Sequence, residues 1–421
     1  MTTTLTKELT TPRTHLDAFS EVERTLPGHD RPAIARLRKA AIARFGELGF
    51  PGERDEDWKF TSVAPLVRTP MQLARGDCPF VPTSLRSKGV LIDHLENALE
   101  RHPQIVEAHL GQHGDFKANP FVALNTAFWR DGVFLYVPDG VVIEEPIRLG
   151  YLLTPTDEPA GRLWYRRILV VVGARSQVTL VEPHEGPAVR YAVNAVSEIV
   201  LGEGAVVDHY KVQEESAEAF HLATTQVVVP AKANFSTHYV GFGGAIARNE
   251  VRVKFTGSHA EATVNGLYLA NGSQHMDNHT VIDHALPHCA SHELYKGILD
   301  GKARGVFNGK IFVRLDAQKT DAKQTNKTLL LSDDATINTK PQLEIFADDV
   351  KCTHGATVGQ LDEQQLFYLR SRGVGAEQAK ALLTFAFAND IVGRVKVPSL
   401  RQRLESALLE ASHLPRLEED E

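Results

Sequence analysis

The chain has 421 residues, of which 43% are hydrophobic and 24% are charged, the composition of an ordinary globular protein. Its formal net charge of −7 disfavours nucleic acid as a partner, because duplex binding needs clustered Lys and Arg to neutralise phosphates. No apolar run approaches the roughly 20 residues of a membrane span, and the distant cysteines Cys78, Cys289 and Cys352 form no disulfide framework, which favours a cytoplasmic protein without a membrane partner.

The first part of the chain has the pattern of helices. Residues 1–14 are rich in Thr, and we expect a disordered tail there. Residues 15–118 are predicted to form a helical region. Asp30 and Pro32 indicate an N-cap and a first turn, and Gly49 indicates the end of the same helix. A second helical stretch is predicted over residues 91–110.

The pattern changes to strands near Asn119, where Val, Ile, Thr and Tyr become frequent and Gly, Pro and Asn separate short alternating runs. A small residue followed by an alternating run recurs about every 30 residues. Such a repeat without a helical segment predicts a mainly β protein, with a right-handed parallel β-helix core over residues 119–359. Ordinary strands with similarly spaced turns are the alternative. The repeats start at Ala174, Ala205, Ala233, Ala260, Ala290, Ala322 and Val350.

Residues 360–421 are predicted to form a C-terminal helical domain. Asp362 begins its first helix and Gly373 ends it, and further helices are expected over residues 376–391 and 399–411. The apolar residues of the second helix cover more than one of its faces, so the helix is either buried or docks a protein partner. Phe385 and Phe387 are the candidate anchors, because large side chains dominate interface energetics. The basic residues nearby leave a helix-turn-helix regulator as an alternative.

Cys352 and His354 stand two residues apart in the last repeat, so in a strand both side chains project from one face. Thiolate and imidazole are suitable ligands for iron or zinc, but two ligands do not close a tetrahedral site. The pair therefore predicts half of a metal site that another chain completes. A buried Cys beside a hydrogen-bonded His is the alternative.

A second group of possible ligands lies within 18 residues. Two of its members are adjacent and would point to opposite faces of a strand, and the spacings match no zinc motif. Structural hydrogen bonding is therefore favoured over a metal site. The group consists of His275, His279, His284, His288, Cys289 and His292.

Four stretches carry a family resemblance: GERDEDWKFT (52–61), YVPDGVVIEEP (136–146), DHALPHCASHELYKGIL (283–299) and TKPQLEIFADDVKCTHGATVGQLDEQQLFYLRSR (339–372). In these stretches the chain resembles the SufB/SufD family of the SUF iron–sulfur cluster assembly system. Its length and the first stretch favour the SufD type. Residues 181–187 read VEPHEGP, where the SufB type carries a cysteine that takes up sulfur. A SufB-type paralogue that holds the nascent cluster directly remains the alternative.

The resemblance implies a non-catalytic scaffold subunit that supports nascent cluster assembly and iron acquisition. Its β-helix would pair with SufB and its C-terminal helices would dock the SufC ATPase, with a homodimer possible when the chain is alone. Cys352 and His354 would contribute to a site shared with SufB that holds a transient iron–sulfur cluster or iron. Reduced flavin in the assembled complex is a further implication.

The sequence has no Gly-x-x-x-x-Gly-Lys-Ser/Thr loop and no Rossmann fingerprint. We therefore expect this chain not to hydrolyse ATP and not to be an enzyme by itself. The competing enzyme class is a β-helical carbohydrate-active enzyme, which needs acidic and basic groups on an exposed sheet face.

Overall fold

Helices occupy the two ends of the chain and strands its middle. The computed structural model describes residues 9–74, 88–152 and 161–411. Two short 3-10 turns, Glu23–Thr25 and Glu56–Trp58, accompany the helices. The helices are α1 Pro12–Val22, α2 Pro32–Leu48, α3 Ala64–Arg68, α4 Leu95–Arg101, α5 Pro103–His109, α6 Pro120–Phe128, α7 Glu363–Ser371, α8 Ala376–Val392 and α9 Pro398–Ala411.

The strands begin with short pieces and continue as a regular series of eight to eleven residues each. The short or isolated strands are β1 Gln72–Leu73, β2 Leu91–His94, β3 Asp131–Val137, β4 Ile147–Arg148 and β5 Tyr151–Leu152. The series is β6 Arg162–Val172, β7 Gln177–Glu185, β8 Ala192–Leu201, β9 Val206–Glu214, β10 Phe220–Val229, β11 Asn234–Gly241, β12 Ile246–Phe255, β13 Glu261–Ala270, β14 His275–His284, β15 Ala290–Leu299, β16 Arg304–Val313, β17 Asp321–Leu330, β18 Thr336–Ile345 and β19 Lys351–Gly359.

The strands from β6 onward form a parallel β-solenoid. Successive strands alternate between two sheets, and each strand pairs in parallel with the strand two positions away in sequence order. We call the sheet that runs from β6 to β18 the even sheet and the sheet that runs from β7 to β19 the odd sheet. Each coil contributes one strand to each sheet, which makes seven coils within the described residues. The predicted β-helix is confirmed, and the alternative of ordinary strands is excluded.

The repeats in the sequence correspond to the strands of the odd sheet. The repeat at Ala174 leads into β7, and the one at Val350 leads into β19. Several turns before these strands contain a residue in the left-handed region, among them Lys232 (φ 58°) and His288 (φ 60°), and Gly204 (φ 68°) occupies the same turn one coil earlier. The repeats in the sequence did not mark the even strands, although left-handed glycines also precede some of them, such as Gly272 (φ 61°) before β14. Strands β8 and β10 are buried on both faces, so they lack the alternation that identifies a half-exposed strand.

The N-terminal helices cover the outer face of the even sheet. Phe19, Phe45 and Phe121 pack in one apolar cluster with residues of the early even strands, such as Tyr165 and Leu222. This packing explains why a predominantly apolar helix, α6, lies inside the range predicted as β-helix core. The chain needs α6 to close the sheet's outer face.

Three details of the predicted N-terminal region are wrong. Residues 9–14 are not a disordered tail: Leu9 is buried, and the Thr11 side chain caps α1. The N-cap of α2 is Arg31 rather than Asp30. Residues 91–110 are not one helix, because β2 precedes α4 and the chain breaks at His102, where Pro103 disfavours helical geometry in the residue before it. Residues 1–8, Cys78 and residues 412–421 lie outside the described part of the chain.

The C-terminal helices pack against the outer face of the odd sheet. Ala388, Ile391 and Leu404 share an apolar cluster with Leu267 and Ile298 of that sheet. The predicted start of α7 is confirmed, since the Asp362 carboxylate accepts hydrogen bonds from the backbone N–H groups of the second and third helical residues. No helix among the described residues is both long and apolar enough to cross a membrane.

Candidate functional site

The solenoid is open at its C-terminal end. Strands β18 and β19 are the outermost strands of the two sheets, and among the described residues each pairs on one side only, with β16 and β17 respectively. Neither strand contains a buried residue. Large apolar side chains stand exposed around this end: Leu315, Ile345, Phe346 and Val358. An open strand edge bordered by apolar side chains is typical of a surface that pairs with another chain.

Cys352 and His354 lie on β19, at this open end. Cys352 is paired with Ala322 and His354 with Gln324 in the register of β17 and β19. Cys352 is partly buried and contacts the apolar interior of the solenoid, whereas His354 is exposed. Because the two residues are two positions apart on a strand, both project toward the interior face at the mouth of the solenoid. A ligand bound between them would lie at the open end.

The Cys352 thiol is not activated by its own chain. Burial is the largest cause that raises its pKa above the usual value, and the negative charge of Asp321 raises it further, while a backbone hydrogen bond at Ala322 acts in the opposite direction. A bound metal would favour the thiolate that metal binding needs.

The described residues contain no group of three or more His, Cys, Asp and Glu side chains arranged to hold a metal ion. Cys352 and His354 thus have no third or fourth ligand from the described part of this chain. The six possible ligands between residues 275 and 292 do not converge either.

Two of those six, His275 and His279, belong to a buried polar cluster beneath the N-terminal region. The Thr61 hydroxyl donates to Asp277 over 2.6 Å and lies 2.9 Å from His275 Nε2. His279 Nε2 lies 2.9 Å from the same Asp277 carboxylate. These contacts anchor the N-terminal region on strand β14, as hydrogen bonding rather than metal binding predicts.

The remaining four are separated by the solenoid. His284 faces the interior and contacts the Ser291 hydroxyl at 2.9 Å, and Cys289 is buried in the apolar interior. His288 is exposed in a turn, where its ring stacks on His259 with the ring centres 4.8 Å apart. His292 is exposed on β15. Neighbours in sequence therefore point in different directions.

The stretch at residues 52–61 has a structural role that its sequence did not reveal. Trp58 stacks on Arg248, whose guanidinium carbon is 3.8 Å from the ring centre. The Arg248 guanidinium also donates to the Asp57 carbonyl over 2.8 Å. Together with Thr61, these residues hold the N-terminal region on the outer face of the even sheet. A single Trp within a charged segment is the signal that could have indicated such an anchor.

A polar interior was also missed by sequence reasoning. Within the segment VEPHEGP, Glu182 faces the solenoid interior, where its carboxylate contacts His184 at 2.7 Å and His209 at 3.1 Å. Burial by itself raises the pKa of Glu182, but hydrogen bonds from these two histidines and the charge of Lys211 hold it well below the usual range. Ser197 of the even sheet donates to the same carboxylate over 3.1 Å, so the contact spans the interior.

The candidate docking residues Phe385 and Phe387 are partly buried inside the chain. Both pack against the cluster that α8 forms with the odd sheet. The Lys296 ammonium lies 4.4 Å from the centre of the Phe387 ring and donates to the Phe387 carbonyl over 2.9 Å. The more exposed apolar residues of these helices are Phe367 (74% exposed) and Tyr368 (56%) on α7, which has no buried residue.

Comparisons with known proteins agree with the fold and with the sequence resemblance. Residues 154–387 match the family model "SUF system FeS cluster assembly, SufBD core domain", and residues 10–80 and 79–149 match "SufBD protein N-terminal region". The chain is 32% identical to an iron–sulfur cluster assembly SufBD family protein of Synechocystis, over 93% of this chain and 94% of that protein. It is 33% identical to the chloroplastic protein ABCI7 of Arabidopsis thaliana, over 88% and 84%. It is 28% identical to the iron–sulfur cluster assembly protein SufD of Escherichia coli, over 85% and 88%.

Proposed function

This chain belongs to the SufB/SufD family of SUF-system iron–sulfur cluster assembly proteins, and we propose that it is a SufD-type scaffold subunit. In this role it pairs with a SufB-type solenoid at its open end, docks a SufC-type ATPase through its C-terminal helices, and contributes Cys352 and His354 to a shared site. Iron or a nascent cluster is the cargo of that site.

The observation that carries the proposal is the open end of the solenoid. Within the described parts of the chain, strands β18 and β19 leave one edge of each sheet unpaired, and the same end carries the exposed side chains of Phe346 and Val358. Cys352 and His354 lie at this edge with half the ligands of a tetrahedral site. A partner that adds strands there would cover the apolar rim and supply the missing ligands in one step.

The SufD type is supported by the interior at residues 181–187. Glu182 and His184 occupy the segment where the SufB type carries its sulfur-accepting cysteine, and both side chains are buried and hydrogen-bonded to each other. Burial lowers the pKa of His184 to about 4, although the Glu182 hydrogen bond partly opposes that. Glu182 and His184 thus form a buried structural cluster, and the segment contains no cysteine.

Docking of the ATPase is assigned to α7 and the neighbouring face of α8. Phe367 and Tyr368 are exposed on α7, and Leu382 is exposed on α8. Because α8 and α9 are packed on the odd sheet, they hold α7 at the surface as a ready-made platform. Phe385 and Phe387 support this surface indirectly, because they pack α8 against the odd sheet.

Co-expression with a SufB-type subunit and a SufC-type ATPase tests the proposal. The three chains should co-purify, and Cys352→Ser and His354→Ala should lower cluster formation by the complex at least tenfold without loss of any subunit. Thr353→Ala, on the same strand with its side chain on the opposite face, is the matched control. Wild-type cluster formation by both variants would overturn the assignment of the site.

A further inference from the structure

A column of interior side chains leads from His354 into the solenoid. Gln324 is the register partner of His354, and Glu293 is the register partner of Gln324. His354 is exposed, whereas Gln324 and Glu293 are 1% and 3% exposed. Adjacent parallel strands lie about 4.8 Å apart, so Gln324 is the residue directly beneath His354 on the interior face.

The orientation of the Gln324 amide is defined by its neighbour. Gln324 Nε2 donates to Glu293 Oε2 over 2.8 Å. In this arrangement the amide nitrogen faces Glu293, whose carboxylate oxygen accepts, and the amide oxygen faces elsewhere. Gln324 Oε1 is buried and has no hydrogen-bond partner among the described residues. The oxygen is therefore free to accept a hydrogen bond from a group that arrives at the open end.

The opposite wall of the interior leaves room for this amide. Gly309 of β16 faces Gln324 across the solenoid, and a Cβ atom at Gly309 would lie 2.3 Å from Gln324 Nε2 and 2.8 Å from Gln324 Cδ. Both distances are too short for real contacts. Because residue 309 is a glycine, the Gln324 amide can lie between Glu293 and the open end of the solenoid without a steric clash.

We propose that Gln324 is the positioning residue of His354: its side-chain oxygen accepts the ring N–H of His354 when the shared site takes up its metal cargo, and Glu293 and Gly309 hold the amide in that orientation. A histidine that binds a metal through one ring nitrogen donates the N–H of the other nitrogen to an acceptor, which sets the tautomer and the ring orientation. The unpartnered oxygen of Gln324 is such an acceptor on the interior side. The other ring nitrogen of His354 then faces the open end, where the partner's ligands would lie.

This inference rests on the proposed function of Cys352 and His354, and Co²⁺ binding by the purified three-subunit complex tests the two separately. Gln324→Met keeps the length of the side chain and removes the acceptor. Gly309→Ala leaves every polar group in place and displaces the amide. Each should weaken Co²⁺ binding about 10- to 100-fold, the range for loss of a hydrogen bond behind a ligating histidine.

Asn326→Leu is the matched control. Asn326 is a second buried amide on β17, two residues further along on the same interior face, and it donates to Thr339 over 2.9 Å instead of lying beneath His354. Its loss should lower thermal stability as much as Gln324→Met does, with Co²⁺ affinity unchanged. With Zn²⁺ as a diamagnetic probe, ¹⁵N shifts should show one tautomer of His354 in the wild type and an exchange between two in Gln324→Met.

The outcomes separate the two proposals. Wild-type Co²⁺ affinity in both Cys352→Ser and His354→Ala overturns the shared site itself. Affinity that depends on His354 but is the same in wild type, Gln324→Met and Gly309→Ala overturns the positioning role alone. Equal losses in Gln324→Met and Asn326→Leu also overturn it, because they would assign the effect to general packing of the interior.

Discussion

Buried carboxylates near the two ends of the solenoid have different neighbours and therefore different pKa values. In the first coils, Glu182 is surrounded by His184, His209 and Lys211, and its pKa is low although burial alone would raise it. Near the open end, Glu293 is equally buried but has only the Gln324 amide and the Thr280 hydroxyl beside it. There burial prevails and raises the pKa of the Glu293 carboxyl to about 7.

The two carboxylates differ in whether a buried cation accompanies the charge. A buried charge with all its partners stabilises one arrangement of the interior and leaves nothing for a ligand to bind. A buried carboxylate without a cation is a cost to stability that persists only where the surroundings compensate for it. The first coils therefore hold a fully paired buried charge, whereas the coils near the open end, where we propose that a partner binds, keep a buried carboxyl without a cation.

The largest effect is expected where the charges are fully paired. Glu182→Ala should lower the free energy of unfolding by about 3–5 kcal/mol, because it leaves the buried Lys211 without this counter-charge and removes the acceptor shared by two buried histidines. Chemical denaturation measures this value. Glu203→Ala, an exposed carboxylate in the turn before β9, is the control and should change stability by less than about 0.5 kcal/mol. Similar losses in both variants would contradict the contrast between interior and surface.

Removal of the unpaired carboxylate of Glu293 should instead raise the free energy of unfolding, by an amount that depends on pH. Since the pKa of Glu293 is raised in the folded state, its contribution to stability is present below the unfolded pKa of about 4.5 and is lost as pH rises through about 7. The loss is on the order of 3 kcal/mol for a shift of this size. Glu293→Gln should therefore gain stability relative to wild type between pH 5 and pH 8. Parallel pH profiles of the two proteins would show that Glu293 is ionised normally.

The C-terminal helices allow the same comparison between a covered and an uncovered residue. Phe367→Ala should weaken ATPase association by about 2 kcal/mol, the scale of an interface anchor, and leave the stability of the isolated chain unchanged. Phe385→Ala should instead destabilise the chain, because Phe385 packs against the odd sheet. Titration calorimetry and thermal melting measure the two effects. If Phe385→Ala weakened binding more than Phe367→Ala did, α7 would not be the main part of the docking surface.

The smallest stability effect is expected at the open end. Cys352→Ser and His354→Ala should each change the free energy of unfolding of the isolated chain by less than about 0.5 kcal/mol, because β19 is an edge strand with mostly exposed side chains. Urea unfolding of the single chain measures this directly. A loss above 2 kcal/mol would mean that these residues hold the fold together and would favour the interpretation of Cys352 as a packing residue.

Part of the candidate site could be predicted from local sequence, and part could not. The two-residue spacing of Cys352 and His354 placed both on one strand face, since the geometry of a strand is local. The same spacing did not indicate that Gln324 and Glu293, 30 and 61 positions away from His354, would lie beneath it in a column. That depends on the register between coils, and coil length varies with every turn. Phe385 and Phe387 were singled out as apolar, but only packing distinguishes an anchor of the fold from an exposed residue such as Phe367.

The sequence by itself determined the repeat of about 30 residues, the helical ends, the start of α7 and the family, because these depend on short-range patterns and recurring strings. Tertiary structure alone decided which end of the solenoid stays open, which carboxylates find a cation, and that the segment containing Trp58 and Thr61 anchors the N-terminal region. The physical reason is that burial and pairing of a charge are properties of residues brought together across many coils. Glu182 and Glu293 have the same side chain. Their neighbours in space make Glu182 part of a buried ion pair and leave Glu293 without a cation.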